Sequence, residues 1–449
     1  MIYQPLKRPI CSLRAPIEFT RLGQRISSAN KNATWNQMID LNILREKPEK
    51  IIDLIKRKEP SFEIERLYQL DLELRKLRKE VEDLRSKKNE LANLGKAGVS
   101  PELRGQSIEL GKELKEKEAA LEKVEINFKT LYLNCPNIPD ETIPAGGKES
   151  NKVIKTVGEK LEYNFPVRNH VEIATALGWL DFDAAARMTG SNFALYKNDA
   201  VRMMYSLTML MLKNNIKHGY MPVLPPYLVN EQSLIVSSNF PKFKDQVYEV
   251  TEDKLYLTPT AEVNLCNMYR DKILNAQELP IRMTAWTSCF RREAGSYGAT
   301  ERGLIRIHQF EKVELFTICP PAQAEAEQER MLVCAQDILQ QLGLHYRISL
   351  LAAQDCSFAS AKTYDIEVWL PGQKAYYEVS SISNCTDFQA RRGLIRYKST
   401  NEGKNELVYT LNGSSLALSR LMVALIEVYQ QADGSVHIPD VLKKEALFV

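Results

Sequence analysis

Residues 290–314 read FRREAGSYGATERGLIRIHQFEKVE and hold four arginines, four glutamates, a lysine and a histidine. Taken as strand, loop and strand, the stretch sorts these charges. TAWTSCFRRE (284–293) is β-prone, and alternation puts Thr287, Cys289, Arg291 and Glu293 on one face and Arg292 on the other. Gly295, Gly298 and Gly303 bracket a loop. In GLIRIHQFEKVELF (303–316), Ile305, Ile307, Val313 and Leu315 form an apolar face, and Arg306, His308, Phe310, Lys312 and Glu314 form the opposite one. The first packs on a core. The second suits an anionic ligand, because the planar guanidinium fork presents two donors to phosphate oxygens and an aromatic ring beside it can stack on a base. An amphipathic surface hairpin has the same alternation, so the pattern alone leaves both readings open.

Three further stretches carry candidate chemistry. In LYLTPTAEVNL (255–265), a strand reading puts Thr258, Thr260 and Glu262 on one face, where hydroxyl and carboxylate can hold an ammonium group. AYYEVSSISNCTDFQARR (375–392) has a glutamate, several hydroxyls and paired arginines, the oxygen-rich set that a hydrated Mg²⁺ takes. VYTLNGSSLALSRLMVALIEVYQQADG (408–434) runs from a β-prone segment through a turn into an amphipathic helix bearing Arg420.

The N-terminal part is different. Leu67, Leu70, Leu74, Leu77, Val81, Leu84, Lys88 and Leu91 alternate spacings of three and four, and the repeat resumes at Leu110, Leu114, Lys117, Leu121, Val124, Phe128 and Leu131. These are coiled-coil seam positions, with Gly95, Gly98 and Pro101 marking the turn of an antiparallel hairpin over about 63–133. Helices of this length reach roughly 45 Å at 1.5 Å per residue. Eight acids and eight bases in 63–91 describe a solvated face more readily than a basic one. NCPNIPDETIPAGG (134–147) reads as a linker. The expected organisation is an extension over 1–37, a helical arm and linker over 38–148, and a catalytic domain over 149–449.

Composition bounds the rest. The 449 residues have a net charge of +3, so nucleic-acid contacts have to come from local patches. No apolar run approaches the ~18–20 residues of a membrane span. Eight cysteines without a CxxC pair, and five histidines without an HExxH pair, point to reduced thiols and argue against zinc. Residues 1–37 carry six basic residues against Glu18, which fits a disordered tail, a misassigned start upstream of Met38, or an organellar transit peptide. The expected compartment is the cytoplasm, with an organelle as the alternative.

In combination these stretches resemble the bacterial-type seryl-tRNA synthetases, which are class II enzymes, from about Met38 to near the C-terminus. FRREAGSYGATERGLIRIHQFEKVE resembles motif 2, TLNGSSLALSRLMVALIEVYQ motif 3, KHGYMPVLPPYLVN (217–230) the dimer-forming motif 1, and PTAE (259–262) the serine-sensing motif. The hairpin resembles the arm that grips the long variable arm of serine tRNA. The resemblance implies an α+β chain, with an antiparallel coiled-coil arm on a catalytic domain whose mostly antiparallel sheet is flanked by helices. It implies ATP and Mg²⁺ as cofactors, L-serine, serine tRNA and selenocysteine tRNA as substrates, and a homodimer. By residue, it implies that Arg291, Arg292 and Glu293 belong to the ATP-binding stretch, with Arg291 on the α-phosphate and Arg292 structural. Ile307 meets adenine through its backbone, and Phe310 stacks on the ring with Arg420 opposite. Glu378, Val379, Ser380 and Ser381 line the ATP site, Glu378 and Ser381 holding Mg²⁺. Thr260, Ala261, Glu262, Glu314 and Ser414 bind serine, Glu262 taking the amino group. The chain departs from the family at Ser415 and Ser419, where glycine is usual, at VSSNFPKF (236–243), at Asn192, and at Ala299 and Thr300.

Overall fold

A computed structural model describes residues 38–95, 100–294, 303–399 and 403–444. The extension 1–37, Gly98, and the loop positions Gly295, Gly298, Ala299 and Thr300 lie outside the described residues. Two short helices, α1 (Leu41–Glu46) and α2 (Pro48–Lys58), precede the long helices α3 (Ile64–Gly95) and α4 (Pro101–Leu133). Ser100 caps α4, its hydroxyl accepting from the Leu103 N–H at 3.1 Å, and Pro101 occupies the first turn, where its missing N–H costs nothing. Leu67, Leu70, Leu74, Leu77, Val81 and Leu84 are buried, as are Leu114, Val124 and Phe128 opposite them. Lys88, read as a seam position, is exposed: the apolar seam ends near Leu84, and a lysine beyond it gains more from water than from its neighbour.

The base of the hairpin is tied to the rest of the chain by charge. Lys58 is buried and donates to the carbonyls of Phe358 and Ser360, and burial lowers its pKa to about 8. Asp40 pairs with Arg391 at 2.8 Å and Glu59 with Lys242 at 2.5 Å.

The centre of the molecule is an eight-stranded sheet built from β1 (Lys152–Val157), β2 (Met221–Val223), β3 (Ile281–Phe290), β4 (Gln309–Cys319), β5 (Tyr346–Leu350), β6 (Lys362–Leu370), β7 (Ala375–Asn384) and β8 (Tyr409–Ala417). Its order is β1-β5-β6-β7-β8-β4-β3-β2, antiparallel throughout except for the parallel β2–β3 pair at one edge. Helices α5 (Asp199–Lys217), α7 (Ala324–Gln341) and α9 (Leu418–Val428) belong with Val313, Leu315, Ile366, Val368, Val379 and Leu416 to one large apolar cluster. Each such side chain, fully buried, contributes about 1.5–3 kcal/mol. Phe316, Ile318, Met283 and Ala285 instead join a second cluster, with α6 (Ala261–Asn267) and with α8 (Phe388–Gly393) through Ala390. The sheet therefore carries apolar side chains on both sides, and the second side opens into the candidate site where Phe316 gives way to Glu314 and Lys312.

Candidate active site

Strand parity sorts β4 as its alternation predicts: Val313 and Leu315 enter the core, while Lys312 and Glu314 do not, and the half-buried Phe310 packs against the core cluster and lines the candidate-site cavity. The strand itself begins at Gln309, not at Gly303. Residues 303–308 form turns in which Leu304, Ile305 and Ile307 are nevertheless buried. Their anchor is a buried pair. His170 Nε2 accepts from the Leu304 N–H at 3.3 Å, and Nδ1 faces Glu427 Oε1 at 3.0 Å. Gly303 sits at φ +73, where an added Cβ would lie 2.3 Å from His170 Nε2, so glycine is required there twice over.

β3 ends at Phe290, and Glu293 takes φ +49, so parity does not carry past the strand. Arg291 and Glu293 still line one cavity of about 200 Å³ together with Ile307, Phe310, Lys312, Ser414, Ser419 and Arg420. The Arg291 guanidinium lies 5.2 Å from the centroid of the Phe310 ring, and Nε donates to the Pro259 carbonyl at 3.3 Å. Glu293 is held by Arg306 at 2.6 Å. Arg292 is exposed and outside this cavity; its backbone N–H donates to the Gln246 carbonyl at 2.8 Å.

A second cavity of about 460 Å³ is lined by Asp365, Glu367, Glu378 and Ser381, and shares Ile305, Glu378 and Arg420 with the first. Glu378 and Ser381 are three apart, a spacing that an ideal strand puts on opposite faces. A β-bulge reconciles them. Ile366 pairs with Ser380 and Glu367 with Glu378, leaving Val379 as the extra residue. Val379 is in the core, and Ser380 is buried with its hydroxyl donating to the Ser414 carbonyl, so neither presents its side chain to the cavity. Arg420 donates to the Glu378 carbonyl at 2.8 Å and lies 3.4 Å from its carboxylate.

The TAE stretch is not a strand beyond Leu257. Thr260 is the N-cap of α6, accepting from the Glu262 N–H at 3.3 Å, and Glu262 lies in the first turn. Thr258 turns inward to the Thr260 carbonyl and Asn264, and Ala261 is fully buried in the second apolar cluster. What unites Thr260 and Glu262 with Glu314 is the fold: Thr260 Oγ1 lies 3.3 Å from Glu314 Oε2. Burial and the neighbouring Glu314 push the Glu262 carboxyl up to about 7, against the opposing pull of Lys312, a hydrogen bond from Gln389 and Arg291. Ser414 is the direct cross-strand partner of Glu314, so both side chains share a face. Gly413 beside it has no room for a Cβ, which would meet Ile382 at 2.8 Å.

Ser415 and Ser419 separate in the structure. A second bulge, between Ser414 and Leu416, turns Ser415 to the back of the sheet, where its buried hydroxyl donates to Asn215 of α5 at 3.0 Å. Ser419 lines the cavity. Sequence reasoning missed Gln389 and Asn412, whose amides donate to Glu262 Oε1 at 2.6 and 3.0 Å, and Asp365 beside Ser381. The alternation of Asp365 and Glu367 with Ile366 and Val368 was a signal for the last.

Two family models match the chain: the seryl-tRNA synthetase N-terminal domain over residues 38–139, and the class II tRNA synthetase core domain (G, H, P, S and T) over 243–429. The serine–tRNA ligase of Syntrophobacter fumaroxidans is 44% identical over 413 residues, covering 90% of this chain and 98% of that one. That of Chlamydia pneumoniae is 45% identical over 414 residues, covering 90% and 97%. Among solved structures, the seryl-tRNA synthetase of Pyrococcus horikoshii complexed with ATP superposes with a TM-score of 0.83 at 33% identity, over 91% of this chain and 98% of that one. With the hairpin arm, the antiparallel sheet and this coverage in hand, the chain belongs to the seryl-tRNA synthetases, class II ligases that activate serine with ATP and transfer it to serine tRNA.

Proposed function

We propose that the two connected cavities hold serine and ATP side by side, with Thr260, Ala261, Glu262, Glu314 and Ser414 forming the serine end. The observation that carries this reading is the convergence of Thr260, Glu262 and Glu314, from a helix start and a distant strand, around Lys312, which lines the cavity that also contains Arg291, Ser414 and Arg420. Glu262 takes the ammonium group of serine. Arg291 takes the α-phosphate, Glu293 and the Ile307 backbone contact ATP, and Phe310 stacks on adenine with Arg420 opposite. Val379 and Ser380 contribute through their backbone. Arg292, exposed, is tied to Gln246 through its backbone N–H. Ala261, being core, also acts through its backbone.

Activation needs no protein nucleophile. The serine carboxylate attacks the α-phosphate and pyrophosphate leaves, so positioning and the charge of Arg291 and Arg420 carry the step. In transfer, the terminal 3′-hydroxyl of the tRNA attacks the adenylate. A pocket of buried carboxylates and hydroxyls rejects alanine by leaving them unpaired, and rejects threonine by size.

Mg²⁺ fits the far end. Among the described residues no three His, Cys, Asp or Glu side chains converge on a metal-binding geometry, but Mg²⁺ keeps several waters and needs few protein ligands. Asp365 Oδ1 is buried without a partner beside Ser381, and burial together with Glu378 holds its carboxyl well above the ordinary range, as expected of an acid awaiting a cation. Glu378 and Ser381 are the proposed ligands, and the ion neutralises phosphate charge when bound. Zinc has no role in this reading.

ATP–pyrophosphate exchange tests the assignment: serine supports exchange in the wild type, Glu378→Gln raises the Mg²⁺ concentration needed for half-maximal rate, and an unaltered Mg²⁺ dependence overturns the metal role. A homodimer is favoured by Tyr205, Met209 and Ile216, spaced along α5 and exposed, with Met221 and Leu224 on the adjoining stretch. Sedimentation of Met209→Glu as a monomer tests it. The arm is the proposed tRNA grip, and serylation of a selenocysteine tRNA transcript tests the second substrate. No helix among the described residues is long and apolar enough to cross a membrane. The proposed compartment is the cytoplasm, and sequencing the mature N-terminus tests it against an organelle.

A further inference from the structure

Lys312 has no part in the roles above, yet it stands between the residues assigned to serine. It is 7% exposed. Its ammonium donates to Thr260 Oγ1 at 2.7 Å and pairs with Glu314 Oε2. Thr260 Oγ1 also accepts from the Glu262 N–H at 3.3 Å. With N–H donors on both lone pairs, the hydroxyl proton has to leave in a third direction, and Glu314 Oε2 at 3.3 Å receives it. Lys312 thus orders a relay from ammonium to hydroxyl to carboxylate. Both contacts fall on Oε2, so Oε1 is the oxygen left for a ligand.

Charge gives the relay its purpose. Glu262 from α6 feels the negative charge of Glu314 from β4, and Glu378 on β7 lines the adjoining cavity. Against them stand Arg291 after β3, Arg420 on α9 and Lys312, while Cys289 of β3 is buried beneath. Glu314 disfavours the ionised form of Glu262, and the Lys312 charge opposes that effect. Lys312 is the cation in contact with Glu314. We propose that Lys312 is the positioning residue that sets serine specificity: it holds Glu314 as a pure acceptor aimed at the substrate hydroxyl, so that an amino acid with no hydroxyl leaves a buried charge unpaired. Without the ammonium, the Thr260 hydroxyl and Glu314 Oε2 are no longer held in place, so the site discriminates less between a ligand with a hydroxyl and one without.

The proposal rests on Thr260, Glu262 and Glu314 forming the serine pocket, and the test separates the two. Full-length Lys312→Met and Lys312→Arg are compared with the wild type in ATP–pyrophosphate exchange with serine and with alanine across pH. In Lys312→Met the serine-over-alanine ratio of kcat/KM falls by about 10- to 100-fold, while KM for ATP stays within about twofold. Glu262, whose ionised form Lys312 favours, then titrates at higher pH, and the acid limb of kcat/KM for serine moves with it, a change that loss of packing alone does not produce. Lys312→Arg keeps the ratio. Should Lys312→Met fail to fold, Lys312→Gln, which keeps a donor but not the charge, is expected to show the same loss. A serine-over-alanine ratio and an acid limb unchanged in the uncharged variants overturn the role of Lys312. Glu262→Gln is the control: a serine KM unchanged there overturns the pocket itself, whereas a raised KM there with uncharged Lys312 variants behaving as wild type overturns only this inference.

Discussion

The hairpin arm and the candidate active-site cavity are both built around paired charges, and their surroundings give those pairs opposite meanings. On the arm, Arg78–Glu125 and Arg85–Glu118 join α3 to α4 at 2.9 and 2.7 Å, with side chains between 31% and 60% exposed. Around the cavity, the side chains of Lys312 and Glu314 are 9% and 1% exposed. A pair in water trades protein contacts for equally good solvent contacts, whereas a pair under a sheet has already given up its water and depends on its partner. The arm uses charge to stay soluble and in register around a narrow apolar seam. The cavity uses it to hold buried charged groups in fixed positions.

The largest effect expected from this contrast is at the cavity. Arg291→Ala lowers serine-dependent ATP–pyrophosphate exchange by roughly 10³-fold, the scale of losing one charge-stabilising group, with binding of serine tRNA within about twofold of wild type. Exchange assays and filter binding measure the two, and comparable losses in both would break the contrast. Next comes the seam. Leu74 is 3% exposed, and Leu74→Ala destabilises the hairpin by about 2–3 kcal/mol. Hydrogen exchange should then quicken along α3 and α4 while adenylate formation is unchanged.

A smaller effect follows from protonation. Glu262 takes up a proton as pH falls through about 7, and a neutral carboxyl does not hold an ammonium, so serine affinity drops by up to about tenfold per pH unit below that point. Glu262→Gln removes the dependence. The stability sign is opposite to that of a salt-bridged acid. The folded state holds this proton where the unfolded chain, with a value of 4.5, has released it, so Glu262 weakens the fold as pH rises from 4.5 to about 7. Isothermal titration with serine and thermal melts over this range read both. The smallest effect is on the arm surface: Arg85→Ala changes stability by less than about 1 kcal/mol, which chemical denaturation resolves.

Much of this architecture was legible in the sequence. The three-four spacing from Leu67 to Leu84 marked the hairpin, and the alternation from Phe310 to Glu314 sorted ligand face from core face, because both periods are properties of the backbone. Legibility failed where the backbone left its ideal path. Extending the strand back to Gly303 was wrong because Ile305 and Ile307, though alternating, are buried in turns held by His170. Reading Thr258, Thr260 and Glu262 as one strand face was wrong because Thr260 caps a helix instead. The bulge at Val379 that brings Glu378 and Ser381 to one cavity leaves no mark in the residue pattern.

Residues close together along the chain were enough for the family, the seam and the order of the candidate site stretches. The tertiary structure alone decided which distant groups share an environment. It turned Ser415 to Asn215 behind the sheet, left Ser419 in the cavity, set Gln389 and Asn412 on Glu262, and buried Lys312 between Thr260 and Glu314. The physical reason is that a charge acquires its pKa and its partners from the dielectric and the neighbours around it, and these are supplied by strands and helices far away in sequence.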